Sequence, residues 1–151
     1  MLRSLLLTSH VAAGTTGLLM GPLAIAGAMR NDRDTWWARA YPAAVTVLTV
    51  TAAGLVALNL ALWPFLLIAL GTEAAVVMAG NARAHARHVR LVCGSYVSLV
   101  TALLVVNWGS ILAWVLPSVV GTVLVERAAA STRRRPPVRT PSRTPPPSSR
   151  P

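Results

Sequence analysis

Residues 5–29, LLLTSHVAAGTTGLLMGPLAIAGAM, run for twenty-five positions without an acidic residue or an arginine. An α-helix rises about 1.5 Å per residue, so about twenty apolar residues cross the roughly 30 Å hydrocarbon core of a bilayer. The stretch is long enough to span. Its rival reading is a cleaved secretory signal, with Arg3 as the charged start and the small residues around Ala26 to Ala28 as the cleavage site. Two features weigh against that. The run is longer than a typical signal's apolar region, and cleavage would place the following basic loops outside the cell.

Outward from this stretch the pattern repeats. RNDRDTWWARA (30–40) is a charged interfacial loop, with Trp36 and Trp37 where an aromatic belt would sit. Further apolar blocks follow at about 41–62, 64–81, 91–108 and 111–126. Trp63-Pro64 closes the second block, because proline disfavours helical geometry in the residue before it. ARAHARHVR (82–90) is a short basic loop before the fourth block. The fifth contains Pro117, which leaves a kinked span and a re-entrant piece both open. The expected fold is an all-α polytopic transmembrane helix bundle of about five spans over residues 1–130.

Charge sets the orientation. The chain has 151 residues, a formal net charge of +10, and arginine as its only strongly basic residue type. With five spans, Arg30, Arg33, Arg39, Arg83, Arg87, Arg90 and every arginine from Arg127 onward share one face, leaving Arg3 alone on the other. Cytoplasmic loops carry the Lys/Arg excess. The expected topology is a multi-pass bacterial plasma-membrane protein with its N-terminus outside and its C-terminus in the cytoplasm. Residues 131–151, STRRRPPVRTPSRTPPPSSRP, hold one aliphatic side chain and cannot build a core. They read as a disordered tail whose Arg133, Arg134 and Arg135 meet anionic lipid headgroups. A polyproline ligand for a partner domain is the sharper alternative. A basic run beside the membrane needs no nucleic acid to explain it.

The polar residues inside the apolar blocks carry the functional question. Glu73 lies nine residues past Pro64, about 13 Å down a helix and near the midplane. A charge there costs several kcal/mol, so the side chain is expected uncharged, facing protein or a water cavity. His10 is its expected partner, offset by roughly 6 Å along helices packed 8 to 10 Å apart. His10, Gly14, Gly17 and Gly21 recur on one helical stripe, which lets a second helix approach closely. Asn59 and Asn107 fall in the same half. The four polar residues His10, Asn59, Glu73 and Asn107 are thus expected to converge on an outward-facing polar pocket floored by Glu73. The alternative is that such groups only tie helices together.

No cofactor is expected. Haem or metal needs ligands at one depth, whereas His10 is in the outer half and His85 and His88 lie in the basic inner loop, without a carboxylate beside them. Cys93, the single cysteine, sits in an apolar block and reads as a buried thiol. No phosphate loop or catalytic triad is present.

HVAAGTTGLLMGPLAIAG (10–27), HARHVRLVCGSYVSLVTALLVVN (85–107) and WVLPSVVG (114–121) resemble uncharacterised bacterial predicted multi-span membrane proteins. Those proteins carry a His near the start of span one, a Gly-Pro later in it, and a His-containing basic loop before a Gly-Ser-Tyr span. The resemblance implies a small multi-span helical protein and supplies no catalytic residue. Two function classes follow from the sequence: a non-enzymatic structural or accessory subunit with a protein partner or a second copy, and a redox or proton-coupled membrane protein using His10 and Glu73.

Overall fold

The computed structural model describes residues 1–108 and 111–133, and these form helices with no strand. The helices are α1 (Leu2–Arg30), α2 (Trp36–Leu58), α3 (Trp63–Gly80), α4 (His85–Trp108) and α5 (Ile111–Arg133), with a 3₁₀ turn, Leu60–Leu62, between α2 and α3. Connections of a few residues force each helix to run antiparallel to the one before it. The bundle therefore has an arginine-rich end, holding the α1–α2 and α3–α4 loops, and an arginine-poor end that carries Arg3. Four segments are long and apolar enough to cross a membrane: Leu2–Arg30, Trp36–Leu58, Leu60–Gly80 and His85–Trp108. The fifth helix returns from the arginine-poor end along α4, and Arg90 of α4 pairs with Glu126 of α5 at 2.5 Å.

The helices reach beyond the apolar blocks, because backbone hydrogen bonding continues where hydropathy stops. α2 begins at Trp36, five residues before Tyr41, and α4 begins at His85 within the basic stretch. Asn31 ends α1 in the left-handed conformation (φ 60°), and its N–H and that of Asp32 donate to Ala28 and Gly27 carbonyls. Asparagine tolerates that geometry better than most residues. Trp63-Pro64, expected to close the second block, instead opens α3. Proline in a first helical turn forfeits no intrahelical bond, so it starts a helix at no cost. Pro117 lies inside α5, which is one helix through it. Ser131 to Arg133 continue α5. Arg134, Arg135 and the remainder of the tail lie outside the described residues.

The bundle is held by small side chains. A Cβ on Gly14 would stand 3.1 Å from Leu48 Cδ1, one on Gly17 3.1 Å from Leu99 Cδ1, and one on Gly21 would overlap the Tyr96 ring. The glycine stripe of α1 thus admits α2 and α4 to close range. Tyr41, Val45, Val89 and Ser95 are fully buried between α2 and α4. The outside is the reverse of a soluble protein: Leu19, Val50, Leu67, Val106, Leu116 and Leu124 are all exposed. So many large apolar side chains on every helix match a surface solvated by lipid.

Candidate functional site

His10 Nδ1 lies 3.1 Å from Thr51 Oγ1 across the α1–α2 seam. The Thr51 hydroxyl already donates its one hydrogen to its own helix, at Val47 O or Leu48 O. Its oxygen must therefore accept from His10, which places the proton of the neutral imidazole on Nδ1 and leaves Nε2 as an acceptor. Glu73 does not join this pair. Thr46 Oγ1 donates to Glu73 Oε1 at 2.8 Å, and Thr49 Oγ1 sits 3.3 Å from Ala69 O and 3.5 Å from Glu73 Oε2. The half-buried carboxyl thus belongs to the α2–α3 seam.

The two asparagines serve the backbone. Asn59 Oδ1 accepts from Ala61 N–H at 3.2 Å in the turn after α2, and Asn107 Nδ2 donates to Leu103 O of its own helix at 2.8 Å. Each is exposed. His10, Glu73, Asn59 and Asn107 come from four helices, but they share no hydrogen bond. The expected convergence on a polar pocket is corrected on that point. Side chains one residue apart on a helix point about 100° apart. On α3 it is Ala69 and Thr72 that face the bundle centre, which turns Glu73 toward the α2 threonines.

What the centre holds is an apolar cleft of about 570 Å³ between α1, α2, α3 and α4, in the half nearer the arginine-poor end. Its polar lining is His10, Thr15 and Thr72, and the two threonines donate to Val11 and Ile68 carbonyls of their own helices. Neither Glu73, Asn59 nor Asn107 lines it. A second, smaller groove of about 370 Å³ runs along α4 and α5. Its Thr101, Ser118 and Thr122 hydroxyls likewise donate to their own helices.

At the arginine-rich end, cationic and imidazole donors close a helix terminus. Arg33 Nη1 donates to Ala82 O at 3.1 Å, and His88 Nδ1 donates to Ala79 O at 2.8 Å. The last carbonyls of a helix lack intrahelical partners, and basic side chains there suit the negative end of its dipole. His88 is therefore tied to α3. Among the described residues no three His, Cys, Asp or Glu side chains are placed to hold a metal ion.

Sequence reasoning passed over the tightest polar contact. Tyr41 Oη lies 2.9 Å from Ser95 Oγ, both buried, and Ser95 in turn donates to Val92 O at 2.8 Å, so Tyr41 is the donor. Tyr96 Oη donates to Leu18 O at 3.4 Å. The available signal was spacing: Thr46 and Thr49 share one face of α2, as do Tyr41 and Val45, which pack toward α4. No protein-family model, curated protein or solved structure matches this chain.

Proposed function

We propose that the chain is a small structural or accessory membrane subunit whose intramembrane polar groups lock one helix arrangement. One observation carries the reading: His10, Glu73 and Tyr41 each bond a different seam of the bundle, through Thr51, Thr46 and Ser95 respectively. Interhelical hydrogen bonds of this kind contribute roughly 0.6 to 2 kcal/mol each. A redox or proton-coupled role would need His10 and Glu73 on a common path, and their separate partners favour the structural role. The arginine-rich end faces the cytoplasm and the N-terminus faces outward, in the plasma membrane. Arg133, Arg134 and Arg135 then lie where anionic headgroups attract them.

Two measurements test this. Reporter fusions at the C-terminus, active only in the cytoplasm or only outside it, report the orientation; an outside signal overturns it. In proteoliposomes carrying a pH-sensitive dye, the wild type and Glu73→Gln are expected to show the same proton leak. A wild-type flux abolished by Glu73→Gln would establish the proton-coupled role instead.

A further inference from the structure

The central cleft is too apolar to hold water, since buried water needs two to four polar partners and both threonine hydroxyls of the wall are already engaged. Its volume of about 570 Å³ is nevertheless that of a small-molecule site, which spans roughly 300 to 1,000 Å³. All four helices that wall it are long and apolar enough to lie in the hydrocarbon layer, so the medium next to it is lipid. One charge marks its mouth. Arg3 is the only arginine at this end of the bundle, and it stands four, seven and eleven residues before Leu7, His10 and Gly14, all of which line the cleft. That spacing puts Arg3 on the cleft stripe of α1, one turn above Leu7. Its side chain is exposed, and the chain's acidic residues are too distant to pair with it: Asp32, Asp34 and Glu126 lie at the opposite end, and Glu73 lies midway on the α2–α3 seam.

We propose that the cleft binds one acyl chain of an anionic phospholipid from the leaflet at the arginine-poor end, with the lipid phosphate held by Arg3. The apolar wall selects the chain, and the guanidinium selects the headgroup by charge and bidentate hydrogen bonding. His10, one turn below Leu7, keeps its ring hydrogen on Thr51 and so presents only an acceptor to the bound chain. The half-buried Ala102 of α4 lines the cleft and is a place to fill it.

The inference rests on the membrane placement proposed above, and the first step separates the two. Full-length chain released from membranes by an alkaline carbonate wash defeats the placement itself. Chain that stays is solubilised in mild detergent and titrated with dioleoyl phosphatidylglycerol or dioleoyl phosphatidylcholine, and the adducts are counted by native mass spectrometry. One lipid per chain is expected, with phosphatidylglycerol favoured about fivefold, the factor one surface arginine supplies. Arg3→Gln should retain the adduct and bring the two lipids to parity. Ala102→Phe should remove the adduct for both. Unchanged binding in Ala102→Phe overturns the cleft as the site. An undiminished preference in Arg3→Gln overturns the phosphate contact, and that exposed variant decides even where Ala102→Phe fails to fold.

Discussion

Substituting Gly21 by alanine tests whether α1 and α4 meet through the glycine stripe. The added methyl would overlap the Tyr96 ring, whose hydroxyl donates to Leu18 O one turn earlier on α1. The ring is stiff and held at both ends, so either it leaves its rotamer or the two helices part. Inserting a methyl into such a contact costs about 1 to 3 kcal/mol. Alanine also raises helix propensity over glycine by about 1 kcal/mol, which would mask part of the loss. Gly71 supplies the internal reference, because a Cβ there meets nothing within 4 Å. Propensity cancels between the two substitutions, so Gly21→Ala should be less stable than Gly71→Ala by about 1 to 3 kcal/mol. Reversible unfolding in mixed detergent micelles, followed by far-ultraviolet circular dichroism, reads that difference. Combining Gly21→Ala with Tyr96→Ala should recover most of the penalty as a positive coupling. Equal stability of the two alanine variants, or no coupling with Tyr96, would refute the close approach.

Other substitutions probe the remaining seams. Tyr41→Phe leaves Ser95 bonded to Val92 O and removes one interhelical bond, so a loss of about 1 kcal/mol is expected by the same unfolding assay. Glu73→Leu should weaken the bundle more than Glu73→Gln, because Gln can still accept from Thr46; equal losses would show that Thr46 contributes nothing. The Arg90–Glu126 pair is exposed by 40% and 55%, so Glu126→Gln should shift stability by at most about 1 kcal/mol, and less at high salt.

Legibility differed between levels. The apolar blocks, the glycine stripe and the placement of the arginines are all patterns along one strand of text, and each maps onto a helix or a bundle end without knowledge of neighbours. The direction of individual polar side chains is not such a pattern. His10 was read as Glu73's partner from depth alone, and depth along a helix says nothing about azimuth. Thr51 and Thr46 supplied nearer acceptors and donors on α2, the helix that packs against both α1 and α3. Asn59 and Asn107 were likewise read by depth, whereas nearby backbone groups captured both amides.

Composition and spacing by themselves determined that this is a helical chain made for a hydrocarbon layer, since a backbone there must satisfy its own hydrogen bonds and only long apolar helices do so alone. Which seam each polar group joins was decided by tertiary structure. A turn of about 100° per residue sends Thr72 to the centre and Glu73 to the α2–α3 seam, and only the packed helices define where that centre lies.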